Sequence, residues 1–157
     1  MNKKIVVIGS CNTDMVVSTK RLPLPGETLI GGEFFMNSGG KGANQAVAAA
    51  RLGGDVCLIA KVGNDPLGSR SVDQYRAEGI NVDYIGVDHD NPSGVALIMV
   101  DEHGENSISV ASGANMALCV ADVDHAKKVI AEADIVLMQL EMPMEVVEHA
   151  ARRAHGM

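Results

Sequence analysis

Three short polar segments carry residue types that could bind the hydroxyls of a sugar. The first contains Asn12 and Asp14, just after an apolar run over residues 4–8. The carboxylate of Asp14 can accept two hydrogen bonds side by side, as adjacent sugar hydroxyls would offer, and Asn12 supplies both a donor and an acceptor. Asn and Asp also shape turns, and from this segment alone the turn interpretation is favoured by roughly two to one.

The second segment is rich in glycine and precedes a helix; residues 39–44 read GGKGAN. Glycine lets a ligand approach the backbone closely, and the free N–H groups at a helix start favour anions or hydroxyl oxygens. Lys41 adds a mobile cation, and Asn44 faces the same end one turn later. The spacing matches neither a P-loop nor a dinucleotide-binding fingerprint, and a flexible loop before a helix is the simpler interpretation.

The third segment, Gln139-Leu140-Glu141, closes an apolar strand predicted over residues 135–140. Ligands of open α/β sheets bind at the carboxyl ends of the strands, so Glu141 is well placed for a ligand hydroxyl. A solvated acid before Pro143 explains this residue about equally well. All three segments would meet in one site if the strands before them are parallel.

Alternating strands and helices must position these segments. Buried strands are predicted over 4–8, 56–62, 82–87 and 135–140, and helices over 43–52, 66–78, 122–132 and 143–155. This alternation predicts an α/β fold with a doubly wound, mainly parallel sheet flanked by helices. The segments at about 14–36 and 95–110 do not fit it. They predict a small separate β-sheet over one edge, with strands at 14–19, 29–35, 95–100 and 107–110.

Composition limits the classes of function. The chain has 157 residues, 46% of them hydrophobic, which suits one domain with a core. A net charge of -7 without a basic run argues against nucleic acid as a partner. No apolar stretch reaches the roughly 18 residues of a membrane span, and no signal peptide is indicated. Cys11, Cys57 and Cys119 are few and scattered, which indicates reduced thiols of a cytoplasmic protein.

Residues 39–63 resemble the first signature of the ribokinase, or PfkB-type, carbohydrate kinase family. They contain a Gly-Gly pair, Asn44, Ala46, then Gly53 after six intervening residues and Gly63 after nine more. Residues 39–49 look specifically like those of ribokinases. Further pieces that are similar to the family, in order along the whole chain, are 12–14 (NTD), 25–28 (PGET), 93–98 (SGVALI), 113–115 (GAN) and 137–141 (LMQLE).

The resemblance implies a ribokinase-like fold in which the small sheet is a lid over the sugar. It implies a hinge at Gly39-Gly40 and a homodimer formed by interlocking lids. The residues that match positions binding the sugar hydroxyls are Asn12, Asp14, Gly40, Lys41, Asn44 and Glu141. The residues that match apolar lid positions against the sugar are Ala96, Ile98 and Val110.

The reaction that the resemblance implies is transfer of the γ-phosphoryl group of ATP to the primary hydroxyl of D-ribose, giving ribose 5-phosphate. The family's catalytic base, an Asp in a Gly-Ala-Gly-Asp motif, would lie beyond Met157. Its ATP site, Mg²⁺-associated motif and K⁺ loop would lie there too. We therefore expect no catalytic, cofactor-binding or metal-binding residue in this chain, and no kinase activity from the chain alone, because the C-terminal half of the domain is absent.

Two alternatives stay open at this point. One is a sibling kinase for another sugar or a nucleoside, although aromatic residues are only 3% of the chain and offer little to stack a base. The other is a non-catalytic sugar-binding fragment.

Overall fold

The computed structural model describes residues 2–155, which form two four-stranded sheets and six helices. The strands are β1 Lys4–Ile8, β2 Asn12–Ser18, β3 Glu33–Gly39, β4 Asp55–Gly63, β5 Ile85–Asp88, β6 Gly94–Val100, β7 Asn106–Ala111 and β8 Ile135–Met138. The α-helices are α1 Lys41–Arg51, α2 Pro66–Ala77, α3 Val120–His125, α4 Lys127–Ala131 and α5 Met144–His155, and a 3₁₀ helix covers Gly113–Ala117.

The main sheet has the order β5-β4-β1-β8, and all of its strand pairs are parallel. Its central strand β1 is a continuous apolar run in which Val6, Val7 and Ile8 are buried. Both faces of such a strand must be covered, since neighbouring residues point to opposite sides. Helices α1 and α2 cover the face that contains Val7, and α3, α4 and α5 cover the face that contains Val6 and Ile8. The predicted α/β class with flanking helices is confirmed.

The order of the strands reverses at β1. From β1 the chain proceeds to β4 and then β5 on one side, and it returns later to add β8 on the other side. Such a reversal opens a crevice at the carboxyl ends of the two strands that flank it, where ligands of this sheet type bind. The crevice lies between the residues that follow β1 and those that follow β8.

The second sheet, which we call the lid sheet, has the order β3-β2-β6-β7, with β2 and β6 parallel and the other pairs antiparallel. Asp14 lies opposite Asn37 on one side and Ala96 on the other, and Ala96 lies opposite Val110. Residues in register across neighbouring strands share one face, and so do residues two apart along a strand. The lid sheet therefore presents Asn12, Asp14, Ala96, Ile98 and Val110 on the same face.

Several element boundaries differ from the sequence-based expectations. The strand expected over residues 29–35 begins only at Glu33, because Gly31 and Gly32 adopt positive φ angles of 106° and 107° that interrupt an extended ladder. The helix expected over 122–132 is divided at Ala126, whose N–H is shared between the carbonyls of Asp122 and Val123. The strands expected at 82–87 and 135–140 are the shorter β5 and β8. The 3₁₀ helix was not predicted.

Two further features bear on the expectations from composition. No helix within residues 2–155 is both long and apolar enough to cross a bilayer. The thiols Cys11, Cys57 and Cys119 are unpaired in this part of the chain. Burial raises the pKa of the Cys11 thiol to about 12, which leaves it protonated at neutral pH.

The contact between α1 and the end of β1 leaves no room for a side chain at Gly42. A Cβ atom there would lie 2.6 Å from the carbonyl carbon of Gly9 and 2.7 Å from the amide nitrogen of Ser10. We expect Gly42→Ala to lower the free energy of unfolding by about 1–3 kcal/mol, although alanine favours helices, because the backbone must shift. Urea denaturation measures this. Arg70→Ala, on the exposed side of α2, is the control and should stay within about 0.5 kcal/mol. Unchanged stability of Gly42→Ala would contradict this account of the contact.

Candidate functional site

The carboxylate of Glu141 joins the two strands of the crevice. Glu141 follows β8, Ser10 follows β1, and the Ser10 hydroxyl donates a hydrogen bond to Glu141 Oε2 at 2.6 Å. Ser10 is only 1% exposed, so its hydroxyl needs such a partner. Sequence reasoning missed Ser10. Its position directly after a buried strand, equivalent to that of Glu141, was the signal that could have identified it.

The start of α1 supplies two more donors to the same carboxylate. Gly40 precedes the helix with a φ of +91°, which suits glycine, and its Cα packs against the backbone of residues 10–12. The Lys41 backbone N–H donates to Glu141 Oε2 at 3.2 Å, and the Lys41 ammonium pairs with Glu141 Oε1. The Lys41 side chain is 67% exposed and can move away from this pair. The helix start and a mobile cation thus converge on one acid.

Asp14 brings a second carboxylate to the site from the lid sheet. It occupies the space next to Gly39 where a side chain at that position would stand. Burial raises the pKa of Asp14, and the negative charge of Glu141 raises it further. Burial also acts to raise the pKa of Glu141, but hydrogen bonds from Lys41 and Ser10 outweigh that effect and lower it. Asp14 is therefore the carboxylate that gains most from new donors.

Asn12 contacts Asn115, which belongs to the segment 113–115 (GAN) that is similar to the family. Asn115, in the 3₁₀ helix, donates from Nδ2 to Asn12 Oδ1 at 2.7 Å. Both side chains are almost completely buried. No local pattern marks this pair, because 103 residues separate its members.

The structure brings most of the sequence-predicted residues together. Those at the crevice or on the lid face next to it are Asn12, Asp14, Gly40, Lys41, Glu141 and Ala96, with Ile98 and Val110 further along the lid face. Asn44 is exposed one turn along α1, where it lines a groove between α1 and α2 together with Asn37 and Ser38. The assignment of all nine residues to sugar binding stays a prediction.

This arrangement suits a neutral ligand with several hydroxyl groups. Two carboxylates and an amide supply acceptors and donors, an ammonium and helix N–H groups add donors, and the lid face adds an apolar wall. Within residues 2–155, no group of three or more His, Cys, Asp or Glu side chains is placed to hold a metal ion. The described residues therefore do not fit a Mg²⁺ site.

The two sheets and the flanking helices together form a ribokinase-like α/β fold. The family model described as pfkB family carbohydrate kinase matches residues 2–156. The chain belongs to the pfkB family of carbohydrate kinases.

Named relatives support this assignment. The chain is 44% identical to a ribokinase of Haemophilus influenzae over 154 residues and 42% identical to one of Bacillus subtilis over 154 residues, with 98% of the chain covered in each case. It covers 50% and 52% of those proteins. A solved structure of Arabidopsis thaliana ribokinase complexed with ribose and ATP superposes with a TM-score of 0.86 at 34% identity, covering 98% of this chain and 50% of that one. The chain thus spans about half the length of these relatives.

The coupling between the two carboxylates is testable by titration. We expect Glu141→Gln to lower the pKa of Asp14, because the substitution removes a neighbouring negative charge and leaves Asp14 equally buried. The measurement is the pH dependence of the Asp14 carboxyl carbon shift by NMR. Glu145→Gln, the same substitution at an exposed position in the first turn of α5, is the control and should leave Asp14 unchanged. A pKa of Asp14 that is unchanged in Glu141→Gln would mean that the two acids do not interact.

Proposed function

We propose that this chain forms the sugar-binding half of a kinase that transfers the γ-phosphoryl group of ATP to D-ribose, giving ribose 5-phosphate. The observation that carries the proposal is the convergence of Asp14, Lys41 and Glu141 at the strand-order reversal, beneath the face of the lid sheet that bears Ala96. The two bacterial relatives are ribokinases, which points to the same sugar.

The role of each residue follows from its donors and acceptors. Asp14 and Glu141 accept hydrogen bonds from sugar hydroxyls, and Asn12, Lys41 and Asn44 supply complementary groups. Ala96, Ile98 and Val110 pack against the apolar carbons of the sugar ring and exclude water, which otherwise competes for the phosphoryl group.

We propose that the remaining parts of the reaction correspond to the half of the relatives that this chain does not match. These parts are the catalytic base, the ATP site and the sites for Mg²⁺ and K⁺. We also propose that the enzyme is cytoplasmic, where ATP is available and the thiols of Cys11, Cys57 and Cys119 would stay reduced.

We also propose that the protein is a homodimer formed through the lid sheet. Large apolar side chains are exposed on both faces of the lid sheet, on β3, β6 and β7, and exposed apolar surface of this kind favours association. These side chains are Phe34, Phe35, Leu97, Ile108 and Val110.

Loss of the Asp14 carboxylate should weaken the reaction. In a full-length kinase containing this sequence, we expect Asp14→Asn to reduce kcat/KM for ribose by about 10- to 100-fold, since hydrogen bonds to a charged acceptor contribute roughly 1.5–3 kcal/mol. A coupled assay of ADP formation measures this. Asp73→Asn, which affects an exposed ion pair with Arg76 on α2, should have no effect. An unchanged kcat/KM in Asp14→Asn would remove Asp14 from the site.

The division of roles between this chain and the rest of the kinase gives a second test. We expect the purified 157-residue chain to form no ribose 5-phosphate from ribose and ATP, whereas the full-length protein forms it and prefers ribose to fructose and adenosine. Turnover by the short chain would contradict our assignment of the base. Preference of the full-length protein for fructose or adenosine would favour a sibling kinase, and sugar binding without turnover would favour a binding protein.

A further inference from the structure

Asn115 is buried behind the sugar-binding face and is surrounded by backbone groups. Its Oδ1 accepts a hydrogen bond from the Cys11 N–H at 2.8 Å. Its Nδ2 lies 2.7 Å from Asn12 Oδ1, 2.9 Å from the Ser112 carbonyl oxygen and 3.1 Å from the Cys11 carbonyl oxygen. The side chain is 3% exposed, so it is more than nine-tenths buried.

These neighbours allow only one orientation of the Asn115 amide. The Cys11 backbone N–H is a donor and requires the oxygen of Asn115, while two backbone carbonyls on the other side require the nitrogen. A flipped amide would place its NH₂ group against an N–H group and its oxygen against two carbonyl oxygens. The orientation is therefore fixed by backbone chemistry alone.

A fixed Asn115 also fixes the amide of Asn12. Because Asn115 presents a donor, the nearest atom of Asn12 must be its acceptor Oδ1. The Nδ2 group of Asn12 is then turned away from Asn115, and it donates no hydrogen bond to another described residue. Asn12 and Asp14 share a face of β2, so this donor lies beside a carboxylate acceptor.

A glycine makes room for the pair. Gly94 begins β6 opposite Asn12, and a side chain at this position would overlap both Asn12 Oδ1 and Asn115 Nδ2. The two amides thus occupy the space that a side chain at Gly94 would fill.

We propose that Asn115 is a positioning residue that orients Asn12 so that its NH₂ group faces the substrate as a hydrogen-bond donor. Asn115 does not touch the sugar. It acts through Asn12 and determines that this point of the site recognises an acceptor oxygen of the sugar. This inference rests on the proposed function.

The first test is a double-mutant cycle in the full-length kinase. We expect Asn115→Ala to raise KM for ribose by about 3- to 10-fold with little change in kcat, the loss of one typical hydrogen bond. In an Asn12→Ala background the same substitution should change KM by less than about 2-fold, because the residue through which it acts is gone. If the fold-changes in KM caused by the two substitutions simply multiply in the double variant, the proposal is overturned.

The second test uses pH. In Asn115→Asp, one carboxylate oxygen still accepts from the Cys11 N–H, but the other now faces the carbonyl oxygens of Ser112 and Cys11 and the Asn12 amide as an acceptor. The ionised form therefore reverses the Asn12 amide. Protonation of Asp at position 115 restores a donor toward Asn12 Oδ1. Relative to the unsubstituted kinase, the KM defect of Asn115→Asp should therefore shrink as the pH falls, while that of Asn115→Ala should not. A defect in Asn115→Asp that does not depend on pH would overturn the proposal.

Two controls separate positioning from loss of folding. Gly94→Ala places a Cβ atom against Asn12 Oδ1, Asn115 Nδ2 and the Cys11 carbonyl oxygen, so it should raise KM for ribose as Asn115→Ala does although the Asn115 side chain is kept. Val123→Ala, on the buried side of α3, lowers stability away from the site and should leave KM unchanged. If the unsubstituted full-length protein phosphorylates no sugar, the proposed function fails and this inference with it. If that protein is active but the effects of Asn115→Ala and Asn12→Ala multiply, only this inference fails.

Discussion

The Glu141 carboxylate is the group on which the crevice depends, because it is bonded to β1 and to α1 while it belongs to the end of β8. Ser10 Oγ, the Lys41 N–H and the Lys41 ammonium all donate to it. A carboxylate offers about four lone-pair positions, so these three donors leave one unused. The Ser10 and backbone donors are part of the fold, whereas the exposed ammonium can be exchanged for a sugar hydroxyl. The acid is thus held in place by the protein and is still able to accept from a ligand.

The second carboxylate of the site, that of Asp14, is carried by the lid sheet. Asp14 belongs to the lid sheet and Glu141 follows a strand of the main sheet, so a rotation of one sheet against the other changes the separation of two like charges. Burial is the larger cause of the raised pKa of Asp14, and repulsion by Glu141 adds to it. A ligand whose hydroxyls donate to both acids reduces this repulsion.

The fold was largely predictable because its signals are local. A few neighbouring residues are enough to recognise each of three features: the apolar run at 4–8, the glycine-rich start of α1 and the acid after β8. Ser10 and Asn115 were missed because their bonds to Glu141 and Cys11 join residues 131 and 104 positions apart. The late start of β3 depends on two positive φ angles, which a pattern of apolar residues does not contain. Long-range pairing and backbone conformation thus account for most of the differences.

Two glycines of the site are required because polar side chains occupy the space beside them, and not because the chain turns there. At Gly39 the Asp14 carboxylate occupies the space of a missing side chain, and at Gly94 the amides of Asn12 and Asn115 do so. Polar groups that must bind a hydroxyl cannot be fixed by packing in an apolar core, since they would lose their ligand-facing side. Contact with bare backbone at these glycines fixes Asp14 and Asn12 without enclosing them in apolar side chains. Replacing either glycine would displace the polar groups themselves.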